Sequence, residues 1–181
     1  MAVVIDPTTG ITAPAAAISG ALSAGSIAST TEAFTNTPAV STAQSMVRLN
    51  TANGYGSTNT KIRRFTNVVT NQGSDITYAD SATNGASFTI NTNGVYGISF
   101  SDNTSVGAYT IGISKNTTQP TTTIASIPIA EILCIASAAA ANFTANAVVP
   151  IFLQAGDIVR AHTDGQAVGT APVVFTITRV S

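Results

Sequence analysis

The sequence predicts an all-β fold, a sandwich or jelly roll of eight to ten strands. Three observations predict it. Short runs that alternate apolar and polar residues recur from residue 46 to the end. Gly, Asn and Asp turn signals separate them. No amphipathic crossover helix lies between them, which excludes a chain of βαβ units.

The runs follow in order. Residues 46–49 open the set, 62–69 form a second run, and 76–78 a short third. In residues 87–91, Phe88 and Ile90 flank Thr89 with period two. Asn93-Gly94 signals a turn, and residues 95–100 return as the next strand. Residues 109–115 set Tyr109, Ile111 and Ile113 against Thr110, Gly112 and Ser114. Residues 124–135 read as one longer run, with Pro128 placing a break or an edge position inside it. Residues 143–153 give the cleanest alternation: Phe143, Ala145, Ala147, Val149, Ile151 and Leu153 share one face, and Asn146 and Gln154 lie on the other. Gly156-Asp157 turns the chain, and residues 158–163 and 173–180 close the set.

Residues 1–45 differ from the rest. They are small or Thr/Ala/Pro-rich, with Phe34 as the one aromatic, and cannot build a core of their own. The reading is two parts: an extended N-terminal docking arm over 1–45 and a jelly-roll domain over 46–181. The arm's apolar residues Val3, Val4, Ile5, Ile11, Ile18 and Leu22 are its candidate docking contacts. Val3, Val4 and Ile5 suit strand addition to another sheet, while Gly20 and Gly25 weaken any helix over 15–28. An arm of this kind gains order by docking on a partner or a sister subunit.

Charged residues make up only 8 % of the 181, against roughly 25 % in an ordinary globular domain. The hydrophobic fraction is 44 %, the opposite of the disordered bias toward high charge and low hydrophobicity. A surface with so few charges is either covered by protein, as in an oligomer, or kept soluble by Thr, Ser and Asn alone; the first is the reading adopted. Net charge is −1, and Lys61, Arg63 and Arg64 are the one basic cluster, so nucleic-acid binding has no electrostatic footprint. Cys134 is the single cysteine, which forbids an intrachain disulfide. Its apolar neighbours favour a buried, inert thiol over the alternative of an interchain bridge or a reactive thiol. No basic residue precedes Arg48, as the charged start of a secretory signal would require. The Ala-rich stretch 13–28 is too interrupted for a membrane span. The expectation is a soluble protein made in a cytoplasm.

Catalysis has no support. His162 is the sole histidine, and neither a Gly-x-Ser-x-Gly elbow nor a phosphate-binding glycine loop occurs. Glu32 and Glu131 show no pairing. No enzyme activity, cofactor or metal is expected. His162 and Asp164 read as a polar strand end rather than a metal or pH site, and Asp75, Asp80, Asp102 and Asp157 as turn residues, with no Asp-x-Asp-x-Asp loop for calcium. Strand alternation puts Lys61 and Arg63 on one face and Ile62 and Arg64 on the other. That face is either solvated or a docking contact for an acidic patch. Tyr96, Ile98 and Phe100, with Phe88, Phe143, Leu153 and Phe175, are the candidate apolar residues of a subunit core or of an oligomer core.

Several segments carry a resemblance. Ile62-Arg63-Arg64-Phe65, Gly85-Ala86-Ser87-Phe88-Thr89-Ile90, Gly94-Val95-Tyr96-Gly97-Ile98-Ser99-Phe100, Leu153-x-x-Gly156-Asp157-x-Val159 and Phe175-x-Ile177-x-Arg179-Val180 resemble C1q/tumour-necrosis-factor-like jelly rolls. That resemblance implies a tight homotrimer acting as a surface knob. The absence of a Gly-X-Y stalk argues against the immune-type role of C1q. Ser45-Met46-Val47-Arg48-Leu49-Asn50-Thr51-Ala52-Asn53-Gly54-Tyr55-Gly56, Thr77-Tyr78-Ala79-Asp80-Ser81-Ala82 and Arg160-Ala161-His162-Thr163-Asp164-Gly165 are similar to stretches of short tailed-bacteriophage proteins. The opening Ile5-Asp6-Pro7-Thr8-Thr9-Gly10-Ile11 is similar to phage fibre and decoration proteins. The resemblance implies a virion component on the outer surface of the phage head: a trimeric decoration (cement) protein whose partners are its sister subunits and the major capsid protein. The alternative it implies is a tail-fibre or head-fibre tip that binds a host-surface glycan.

Overall fold

The computed structural model describes residues 44–104, 107–166 and 173–180. Among the described residues, ten strands form two antiparallel five-stranded sheets. They are β1 (Met46–Tyr55), β2 (Arg63–Gln72), β3 (Ile76–Ser81), β4 (Gly85–Ile90), β5 (Gly94–Asn103), β6 (Tyr109–Lys115), β7 (Ile132–Ala138), β8 (Thr144–Leu153), β9 (Ile158–Thr163) and β10 (Val174–Arg179). The first sheet runs β2-β1-β10-β5-β8 and the second β3-β4-β9-β6-β7. Chain neighbours such as β4 and β5, or β8 and β9, lie in different sheets, so the connections cross between layers as in a jelly roll. The expected fold class is the observed one. The arm residues Val3, Val4, Ile5, Ile11, Ile18 and Leu22 lie outside the described residues.

Alternation sets the layers. On β5, Tyr96, Ile98 and Phe100 are buried while Val95, Gly97, Ser99 and Ser101 are half-buried on the outer face. In register across β10, Phe100 meets Phe175 and Ile98 meets Ile177. The second sheet answers with Phe88, Ile90, Ile111, Ile113 and Val159, all fully buried. Phe175 is the hub: it stacks on Phe88 with centroids 4.2 Å apart and meets Phe100 and Phe65 at tilted angles. Such ring pairs add about 0.5–1.5 kcal/mol beyond their burial. Phe88, Tyr96, Ile98, Phe100, Leu153 and Phe175 are therefore core of one subunit. Phe143 is the exception. It precedes β8, beside Asn142 at φ 65, and is 64 % exposed.

Residues 124–135 are not one strand. Ile124–Ser126 and Ile129–Glu131 are 3-10 turns, and only Ile132–Ala138 is extended. Pro128 is the reason. Its φ of −54 starts a tight turn, which the Glu131 N–H closes on the Pro128 carbonyl at 2.9 Å.

At the end of the sandwich where β1 passes to β2, Gly85 opens β4 at φ +80, a conformation that favours glycine. A Cβ there would also stand 2.7 Å from the Ile62 side chain, which is fully buried. Gly85→Ala is expected to lose about 1–3 kcal/mol, read as a lower urea midpoint at unchanged slope. An unshifted midpoint would contradict the close approach.

Candidate self-association surface

The two edges of the sandwich differ in chemistry. Where β2 faces β3, Arg64 Nη2 donates to Asp80 Oδ2 at 2.7 Å and Nε lies 3.2 Å from both carboxylate oxygens. Both side chains are about one-fifth exposed. At the opposite edge β7 meets β8, with Cys134 Sγ 3.6 Å from the Val148 carbonyl. Ile135 and Phe143 are exposed here, and Ile129 stands out just before β7. Cys134 itself is half-buried rather than enclosed.

The apolar character continues onto the outer face of the first sheet. In register, Val95 lies opposite Phe152, Gly97 opposite Pro150 and Ser99 opposite Val148. Val148 is 66 % exposed, Phe152 58 % and Val180 61 %. Gly97 carries no side chain, so a hollow of about 290 Å³ opens over it between Val148 and Pro150. Its β10 neighbours on this face are Thr176 and Thr178. Beyond them Arg48 of β1 is exposed on the same face, in register with Thr176, and at the far end of β5 Ser101 Oγ donates to Asn146 Oδ1 at 2.6 Å. No charged side chain belongs to β5 or β8 on this outer face. Isolated exposed apolar residues are ordinary, but several together without charge mark an interaction surface. Pro150 also removes a donor from the β8 edge, which disfavours simple strand addition there.

Lys61, Arg63 and Arg64 do not form one docking patch. Arg64 binds Asp80 at the β2–β3 edge. Lys61 offers its backbone: its N–H donates to the Pro120 carbonyl at 2.6 Å and its carbonyl accepts from Thr163 N–H at 2.9 Å. Arg63 points inward and is 1 % exposed, not on a solvated face. Its Nε and Nη2 donate to Asp102 at 2.6 and 2.8 Å, and its guanidinium lies 4.7 Å from the centre of the Tyr55 ring. The simple alternation fails because β2 starts at Arg63, while Ile62 belongs to an isolated bridge with His162. Asp102 is correspondingly no turn residue. Burial pushes its carboxyl above the usual carboxylate range, and Arg63 pulls the other way.

His162 is fully buried, with Nε2 at 2.7 Å from the Thr122 carbonyl and Nδ1 at 3.1 Å from Ser114 Oγ. Asp164 is separate from it, accepting the Thr110 N–H at 2.8 Å. Asp157 does serve its turn, accepting Gln154 N–H at 3.0 Å and Asn116 Nδ2–H at 2.7 Å. Burial alone would raise its carboxyl; these donors and Lys115 hold it below the usual range. Among the described residues, no group of three or more His, Cys, Asp or Glu could hold a metal, and no helix is long and apolar enough to cross a membrane. The exposed face itself was half legible. The period-two pattern of β8 marks Val148, Pro150 and Phe152 as the set opposite Ala147, Val149 and Ile151, but it does not say that water is the wrong neighbour for them.

No protein-family model matches the chain, and no curated protein matches it in sequence. Solved structures do match in fold. The globular domain of zebrafish complement 1qA protein superposes at TM-score 0.54 with 13 % identity, over 76 % of this chain and 98 % of that one. Murine APRIL, in crystals at pH 8.0, superposes at TM-score 0.52 with 10 % identity, over 76 % of this chain and 99 % of that one. The chain has the C1q/TNF-type jelly roll, and at these identities the likeness is one of fold.

Proposed function

We propose that this protein is a non-enzymatic, homotrimeric virion protein that decorates and stabilises an assembled phage head. The observation that carries self-association is the β5–β8 part of the first sheet's outer face, which carries no charge and where Val148, Phe152 and Val180 stand in water if the chain is alone. A closed ring of copies covers that face and the β7–β8 edge, and leaves the charged Arg64–Asp80 edge wet. The C1q/TNF-type fold supports the same reading. Support for the virion comes from sequence: residues 45–56, 77–82 and 160–165 resemble tailed-phage proteins. Decoration works by mass action, since a ligand that binds only the assembled shell stabilises it. Three arms on one trimer add avidity without requiring a strong contact from each.

The test is deletion of residues 1–45. The truncated chain is expected to remain a folded trimer by light scattering and to stop co-sedimenting with capsids. Decoration retained without the arm refutes the docking role. Copy number in purified particles separates decoration, which gives an abundant band, from a scarce fibre tip.

A further inference from the structure

We propose that residues 116–131 form a strap clasped to the outer face of the second sheet by His162, and that acid unclasps it. This stands independently of self-association. On β9, Val159, Ala161 and Thr163 face the core, so His162 belongs to the outer face. Outer-face residues are ordinarily wet, yet His162 has no exposed surface. The strap is what covers it. Ile124 is fully buried and Ile127 nearly so, although neither belongs to a strand. Opposite His162 in register, Gly112 leaves the room that Ile124 fills. A Cβ on Gly112 would come 2.7 Å from Ile124 Cγ1.

The polar half of the clasp is directional. A carbonyl only accepts, so His162 Nε2 carries the proton and donates to Thr122 O at 2.7 Å. Nδ1 is then the acceptor for the Ser114 hydroxyl at 3.1 Å. A second proton on Nδ1 would meet that same hydroxyl, which would have to turn its own hydrogen elsewhere in a fully buried site. The surrounding charges are few. Arg160 lies two residues back on the same face of β9. Glu131 ends the strap and is occupied by Thr118, whose N–H and Oγ1 donate at 3.3 and 3.1 Å. β6 contributes Ser114 to the ring, and its Lys115 is paired with Asp157. The segment before β2 brings the Ile62 backbone and Lys61, whose N–H donates to Pro120 O.

Burial is the largest influence on the imidazole and disfavours its charged form; Arg160 does too, while the Thr122 carbonyl and Glu131 oppose them, and the net direction is downward from 6.5. The closed strap thus binds fewer protons than the open one, and falling pH favours opening. The window begins near the ordinary value of 6.5 and ends where the closed-state ring itself titrates. Across the first pH unit below 6.5 the open population grows about fivefold, and the growth approaches about tenfold per unit further down.

Hydrogen exchange on the full chain tests this, corrected for intrinsic rates. The Lys61, Thr122 and Ser126 amides, all bonded to strap carbonyls, are expected to lose about fivefold in protection between pH 6.5 and 5.5. Amides in the β5–β10 ladder should hold theirs. His162→Gln, which keeps a donor but cannot charge, should abolish the pH dependence. An imidazole titration by NMR on the unaltered chain covers the case in which that variant does not fold, with a value below 6.5 expected. A wild-type strap whose protection is the same at both pH values overturns the proposal. So does an equal loss in His162→Gln, or an imidazole that titrates at or above 6.5.

Discussion

Replacing Arg63 with Met, or Asp102 with Leu, is expected to remove about 3–5 kcal/mol of folding stability, while the two changes together remove far less. Both side chains are only 2 % exposed, and Arg63 reaches from β2 across the ends of two intervening strands to Asp102 on β5. Either single change leaves one uncompensated charge between the sheets, and neutralising or rehydrating it costs most of the effect. With both charges gone no such penalty remains. The Asn103 N–H still loses its bond to Asp102 Oδ1 at 2.7 Å, and the Tyr55 ring loses its cation. The double variant should therefore sit about 1–2 kcal/mol below wild type. Urea unfolding of the four proteins measures this as a double-mutant cycle. If the double variant loses the sum of the two single losses, the pair is not acting as one buried unit.

The pair also has a pH signature, and its sign follows from the direction of the Asp102 shift. The native carboxyl titrates above the ordinary 3.8 because burial outweighs the help from Arg63. A group that holds its proton more tightly when folded stabilises most below its unfolded value, and that contribution fades as pH rises through its native one. Between those two values Asp102 thus makes folding less favourable with rising pH. Asp157, held low by its donors, does the reverse and gives up stability as pH falls. This is why the ion pair is weak support for stability while its disruption is severe.

Much of the architecture was legible in the sequence because period-two alternation and turn residues are local signals. They place Tyr96, Ile98 and Phe100 on the buried face of β5, and Ala145, Ala147 and Leu153 on that of β8. Each failure has its own physical origin. Phe143 has the right parity for β8 but lies one residue before it, where Asn142 has turned the chain. Arg63 has a charge that predicts exposure, and only the placement of Asp102, 39 residues away, makes its burial tolerable. Residues 124–131 are as apolar as a strand, yet Pro128 and the space over Gly112 make them a strap. For Arg63 and Ile124 the deciding partner is distant in sequence, so no local pattern announces it; for Phe143 it is the adjacent turn at Asn142, whose φ of 65 a period-two pattern does not read.

Val148→Lys is expected to turn the oligomer into a single chain without unfolding it. In the lone chain Val148 is 66 % exposed, so a lysine there reaches water and should change stability by no more than about 0.5 kcal/mol. The same lysine buried against a second copy has no acidic partner on its own face, because neighbouring Ser99, Gly97 and Pro150 carry no charge. Burying an unpaired ammonium costs at least about 2–3 kcal/mol per contact, which weakens each contact roughly a hundredfold. A closed ring repeats that loss at every joint. Light scattering should thus report a single-chain mass for Val148→Lys at concentrations where wild type gives three chains, with far-UV circular dichroism unchanged. Arg64→Ala, at the charged β2–β3 edge, should leave the three-chain mass intact, since that edge keeps its water. A three-chain mass for Val148→Lys moves the contact to another surface. A single-chain mass for wild type itself removes self-association, and Val148, Phe152 and Val180 then need some other protein to cover them.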